Sequence, residues 1–328
     1  MRNLEPARFR VARPGFLTTV QDLGRFGFRR FGMPVSGAMD AVALRVANRL
    51  VGNPDQAAAL EMTVKGPELV FETDALIALA GADLSPLINS TPVPLWTALE
   101  VSRGSTLSCG ERRSGARAYL AVAGGIEVPM ALGSRATHIS SQTGGFAGRA
   151  LAKGDTVCGG PPSPGVSRLI GSTILPAARP PYSPAPVLRV VLGPQRDCFM
   201  DEAVERLVRS CYAVTPQSDR MGYRLSGPPL VHAGPPDIVS DATPQGALQV
   251  PADQQPILLM ADCQTTGGYP KIAVVVSADL PLASQLLPGD SVRFTLVEVH
   301  EAQAIAREQR ERLEAMLPCK SATFTPGM

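Results

Sequence analysis

The stretch QTTGGYPKIAVVV at 264–276 sets two threonines, two glycines, a Tyr-Pro and one lysine directly against the most apolar β-branched run of the chain. Glycines there let backbone approach a ligand closely. A lysine at the start of a buried strand has its stem held while its ammonium meets substrate charge. Other polar, glycine-bearing stretches have the same character: TTVQDLGR at 18–25, VSGAMD at 35–40, GPQRD at 193–197, SDRMGYR at 218–224 and QGALQVP at 245–251. Together with the opening stretch they supply Arg220, Arg224 and Lys271 as cations; Asp197, Asp219 and Asp241 supply carboxylates, among many amides and hydroxyls. That mixture suits a small polar substrate with carboxylate, amide or phosphoryl groups. Structural readings compete at each place. Thr265, Thr266, Gly267 and Gly268 can simply lead into a strand, and Asp219-Arg220 can form an Asx-type turn with an internal ion pair. Asp40 can serve a helix N-terminus.

Common catalytic signatures are absent: no G-x-x-x-x-G-K-[ST] phosphate loop, no G-x-S-x-G elbow, no H-E-x-x-H and no G-x-G-x-x-G between strand and helix. The cysteines lack a Cys-x-x-Cys pair and the histidines lie far apart, so no metal site is expected.

The elements that must position these residues are mostly short strands. Glycine and proline number 31 each, and turn-formers separate brief apolar runs. Strands are expected at 69–73, 76–80, 118–123, 187–192, 257–261 and 272–276; at 291–297, Val292, Phe294 and Leu296 alternate with polar residues. Helical spacing occurs at 39–51, with Ser36 as a candidate cap and Gly52 as its end, at 201–210, and in the tail at 298–317. A repeated turn, RGSTL at 103–107, KGDTV at 153–157 and PGDSV at 288–292, occurs in both halves and suggests related β-units. The proline-rich 160–186 reads as a linker. The expected fold is therefore mainly β: one domain over 1–175 and a second, with a helical tail, over 186–328.

A length of 328 residues suffices for two cores without disulfide staples. A net charge of +2, with both signs mixed, argues against nucleic-acid or membrane-surface binding. The Arg/Phe mixture LGRFGFRRFG at 23–32 could stack on bases; the favoured reading is phenylalanines in a core and arginines that line a rim or bind an anion. The N-terminal MRNLEPARFRVARPG has no apolar secretory core, and no stretch is long enough to span a membrane; a cytoplasmic location with reduced thiols is expected.

TTVQDLGRFG, GMPVSGAMD, ANRLVGN, YLAVAGGI, LGSRAT, SDRMGYRL, GALQVP, QTTGGYPK and LPGDSVRF follow in order along nearly the whole chain. Together they resemble the allophanate hydrolase subunit 2, or carboxyltransferase A/B subdomain A, family, which includes the C-type subunit of 5-oxoprolinase and KipA-like proteins. The resemblance implies tandem cyclophilin-like β-barrels. It also implies a subunit 1/B-type (KipI-like) partner and, for 5-oxoprolinase, a lactam-utilisation subunit that completes an enzyme opening 5-oxoproline to glutamate with ATP. Where relatives often read Asp-Arg-Gln, this chain has Asp262-Cys263-Gln264.

On that resemblance, an unstrained amide needs activation, and cations stabilise the charge that develops. Lys271 and Arg220 are the expected anion-stabilising residues, and Asp219 orients Arg220 or transfers a proton. Gln249, Gln264, Thr265, Thr266, Gly267, Gly268, Tyr269 and Asp40 are the expected substrate-binding residues. ATP is expected to act through the complex. Two rivals remain: a biotin-dependent carboxyltransferase half-site, with biotin carried elsewhere because this chain has no Met-Lys-Met segment, and a KipA-like regulator that binds a kinase inhibitor without catalysis.

Overall fold

The computed structural model describes residues 4–316 and the backbone of residues 319 and 320. Two compact units emerge. The first comprises residues 1–25, 40–180 and 313–328, and the second residues 26–39 and 181–312. The 26–39 segment thus belongs with a unit otherwise built from the second half of the chain.

In the first unit, two antiparallel sheets enclose one core. One runs in the order Thr156–Cys158, Arg8–Arg13, Glu68–Phe71, Thr106–Cys109, Pro86–Ile88, Thr91–Pro92. The other runs Leu17–Gln21, Ala59–Thr63, Ser114–Val122, Ala75–Asp83, Ala98–Val101. Alternation places Phe9, Val11, Leu69 and Phe71 from the first sheet against Leu60, Met62, Ile77, Leu79 and Leu120 from the second. The opposite face of the second sheet is also covered, because helix α1 (Ala41–Leu50) packs on Ala75–Asp83 and Ser114–Val122. Two-sided burial explains why 75–83 reads as an unbroken apolar run.

The second unit is a closed barrel: Val187–Leu192, Lys271–Val275, Ala247–Gln249, Ile257–Leu259, Gly222–Ser226, Cys211–Val214 and Ser291–Leu296. A parallel pairing of Val187–Leu192 with Ser291–Leu296 closes it; the other pairings are antiparallel. Closure leaves no free sheet edge. Leu188, Val190, Tyr212, Tyr223, Leu248, Ile272, Val292 and Phe294 fill the interior, and helix α2 (Asp201–Arg209) adds Ala203 and Leu207. A four-residue helix, α3 (Leu280–Ala283), and the tail helix α4 (Val299–Ala315) are the other α-helices among the described residues. No helix among the described residues is long and apolar enough to cross a membrane.

The structure is mostly β, as the strand-dense sequence implies, with the closed barrel in the second unit and two packed sheets in the first. All three repeated turns place their glycine in the left-handed region, at φ 85°, 93° and 94° for Gly104, Gly154 and Gly289, and a strand follows each. The cap of α1 differs from expectation. Asp40, not Ser36, accepts the Ala43 N–H at 2.9 Å, while the Ser36 hydroxyl donates to Asp262 at 2.6 Å. The four-residue α3 lies outside the three helical stretches expected. Leu317, the last residue of the expected tail helix, and Pro318 after it lie outside the described residues.

Candidate active site around Lys271

Lys271 opens the barrel strand Lys271–Val275 and is 1 % exposed. Its neighbour across the ladder is Gln249, at a register irregularity between Leu248 and Gln249. The lysine stem lies inside the protein, while its Nζ donates to Asp241 Oδ2 at 2.9 Å. The Asp241 side chain is 48 % exposed. The pair therefore joins a sheltered ammonium to a carboxylate facing solvent.

Asp241 reaches Lys271 because of a miniature sheet, Asp241–Ala242 against Thr266–Gly267, with Asp241 opposite Gly267 and Ala242 opposite Thr266. Gln195, from GPQRD, ties the pair together. Its Nε2 donates to Asp241 Oδ2 at 3.1 Å, and its Oε1 accepts the Lys271 N–H at 3.2 Å. Gly193 permits this approach, since a Cβ there would lie 2.0 Å from the Lys271 carbonyl oxygen.

Behind the miniature sheet, Gln249 donates to the Tyr269 carbonyl at 3.3 Å and accepts from Gln264 Nε2 at 3.2 Å. A Cβ on Gly267 would sit 2.8 Å from Gln249 Nε2, so glycine at 267 lets the loop close over these amides. Tyr269 is 39 % exposed, Thr266 is exposed, and Thr265 and Gly268 are half-buried. Thr265 and Gly268 act here through their carbonyls, which accept from Thr243 N–H and Ile238 N–H. Lys271, Gln249, Gln264, Thr265, Thr266, Gly267, Gly268 and Tyr269 thus form one neighbourhood. Asp241 and Gln195 join it. Gln195 belongs to the polar GPQRD stretch and Asp241 is one of the candidate carboxylates, yet they stand 76 and 30 residues from Lys271, and no local spacing marks them as its partners.

A guanidinium stands beside Cys263. Arg29 donates to the carbonyls of Thr243 (2.7 Å) and Thr265 (3.2 Å). Burial pushes the Cys263 thiol pKa up, and the Arg29 guanidinium opposes that rise.

Arg220, Asp219 and Asp40 are placed differently. Arg220 is 6 % exposed; its Nε and Nη2 hold Asp262 at 2.8 and 3.1 Å, and Nη2 also donates to the Gly37 carbonyl at 2.6 Å. It anchors the 26–39 segment to the barrel. Asp219 is exposed and closes its own turn, accepting from Met221 N–H at 2.7 Å and Gly222 N–H at 3.3 Å. The Asx-type turn is present, but the carboxylate facing Arg220 is Asp262, because Asp219 is directed to backbone amides. Asp40 lies in the first unit, where its N–H donates to the Tyr119 hydroxyl at 2.8 Å and Tyr119 donates to Glu61 at 2.6 Å. Burial, then the charges of Glu61 and Asp40, raise the Tyr119 pKa well above that of an ordinary phenol.

A family model for the carboxyltransferase domain, subdomain A and B, matches residues 31–296. The chain belongs to this family. The C-type subunit of 5-oxoprolinase from Escherichia coli is 36% identical over 315 residues, covering 94% of this chain and 97% of that protein. "Urea amidolyase" of Lachancea kluyveri is 35% identical over 99% of this chain, but only 19% of that protein is covered. The crystal structure of the K. lactis urea amidolyase superposes with a TM-score of 0.89 at 32% identity, over 98% of this chain and 20% of that one. The carboxyltransferase-domain chain therefore spans about a fifth of each urea amidolyase and nearly all of the bacterial C-type protein.

Hydrogen bonding to Lys271, then to the Ala242 N–H and Gln195, holds the Asp241 carboxyl below its ordinary value of 3.8. A depressed folded-state pKa means the group favours the folded chain above that ordinary value. The contribution is lost as pH falls through the lower folded value. Carboxyl-detected NMR titration should give Asp241 a midpoint under 3.8, and Lys271→Met should raise it. A wild-type midpoint at or above 3.8 would contradict the pairing.

Proposed function

We propose that this chain is the C-type subunit of an ATP-dependent 5-oxoprolinase, acting with a subunit 1/B-type protein and a lactam-utilisation subunit. The observation that carries this reading is the 36% identity to a bacterial C-type protein, over 94% of this chain and 97% of that protein. The Lys271 neighbourhood has suitable chemistry. 5-Oxoproline carries a carboxylate and a lactam amide, and the site offers one sheltered ammonium beside the amides of Gln195, Gln249 and Gln264. Only one Lys271 N–H is directed to Asp241 among the described residues, leaving donors for a substrate carboxylate or a developing oxyanion. The exposed Asp241 is the group an incoming anion would displace. Arg220, in this reading, positions the 26–39 segment and does not meet substrate.

The site does not fit a nucleotide triphosphate. It has one lysine and no glycine-rich loop at a helix N-terminus, and no group of three or more His, Cys, Asp or Glu among the described residues could hold a metal ion. ATP is therefore assigned to the assembled complex, and no step through it is derived for this chain.

A second reading, carboxyl transfer to an amide with biotin carried on another polypeptide, draws on the 0.89 TM-score to urea amidolyase. The same ammonium would face a carboxylated intermediate. The two separate on substrate. The complex co-purified from its own gene neighbourhood should convert 5-oxoproline to glutamate with ATP alone. Turnover that instead requires bicarbonate and a biotinylated carrier would replace the first reading with the second.

A further inference from the structure

The first unit contains a cavity of about 340 Å³ that none of the chemistry above uses. Its walls come from the turn after Ala75–Asp83 and from the 92–95 segment, with Arg113 and Arg179 at its margin. Three wall residues, Pro86, Pro92 and Pro94, have no N–H, and Leu87 and Val93 add apolar surface. Directional donors therefore come mainly from the two guanidinium groups.

Arg179 is the unusual one. It is half-buried, and its Nε donates to the Ile174 carbonyl at 3.0 Å. No carboxylate among the described residues pairs with it, and burial alone lowers its pKa. A partly desolvated cation without a counter-ion is unfavourable, and an anion in the cavity would relieve that cost. Arg113 stands 4.0 Å from Asp83 and is 74 % exposed, so it is only loosely engaged. The other oxygen of Asp83 accepts the Ser85 N–H at 2.8 Å. Two arginines against one carboxylate leave the cavity with excess positive charge.

We propose that this cavity binds a small organic carboxylate. Its head group lies on the Arg179 fork, and its compact apolar body lies against the proline-lined wall. The volume is in the range of small-molecule sites.

The test is titration calorimetry on the full chain with benzoate, cyclopentanecarboxylate and inorganic phosphate as probes. At least one ring carboxylate should bind saturably, more tightly than phosphate. Arg179→Met should weaken it at least tenfold at an unchanged thermal midpoint, whereas Lys271→Met should leave it unchanged. If Arg179→Met fails to fold, Arg179→Lys, which keeps the charge and loses the fork, should show at least a threefold loss. The proposal is overturned if no ring carboxylate binds the wild-type chain or if phosphate binds more tightly. It is also overturned if the folded Arg179 variants bind undiminished or if Lys271→Met abolishes binding. The last result would place the ligand at the Lys271 site.

Discussion

Lys271→Met is expected to lower turnover of the reconstituted complex by roughly ten- to a thousandfold, which corresponds to about 1.4–4 kcal/mol of lost charge stabilisation. Methionine keeps most of the buried stem, so packing of the strand Lys271–Val275 is preserved. The partner left behind, Asp241, is substantially exposed and can be solvated, so the fold does not inherit a buried orphan charge. The thermal midpoint should therefore move by no more than about 3 °C. A rival structural reading, in which Lys271 merely clips the miniature sheet to the barrel, expects the opposite pattern: stability falls and turnover per folded complex is retained. Unchanged turnover at unchanged stability would remove Lys271 from the chemistry.

Arg220→Met is expected to act on the fold. Arg220 and Asp262 are both nearly inaccessible, at 7 and 8 % side-chain exposure, and they bond through two guanidinium nitrogens. Removing the cation leaves the Asp262 carboxylate buried without that partner and releases the Gly37 carbonyl. Breaking such a pair costs about 3–5 kcal/mol, whereas neutralising both partners costs less. Denaturant midpoints should fall accordingly for the single variant. Arg220→Met combined with Asp262→Asn should recover part of the loss. A loss below about 1 kcal/mol for the single variant would show that Arg220 does not anchor the 26–39 segment.

The difference between these residues also marks what the sequence could and could not reveal. Local pattern exposes what neighbours decide: the alternating Ser291–Leu296, a strand at 76–80, the helix over 39–51 and the glycines of the repeated turn. It does not expose partners that the fold brings from afar. Ser36 looks like the cap of α1, but its hydroxyl is directed to Asp262, 226 positions away. Arg220 sits beside Asp219 in sequence, yet the turn aims that carboxylate at Met221 and Gly222 and leaves the guanidinium to Asp262. The QTTGGYPK loop is legible as a rigid polar wall because its glycines and its strand are contiguous. The Asp241–Lys271–Gln195 ring is not, because three separate segments meet only once the barrel has closed.

The most direct measurement is glutamate release from 5-oxoproline by the co-purified complex, followed with and without ATP and with this chain present or omitted. The expected result is ATP-dependent glutamate formation that requires this chain together with its partner subunits, and none from this chain alone. Equal turnover when this chain is left out, or full activity from this chain by itself, would contradict its assignment as the C-type subunit of a 5-oxoprolinase.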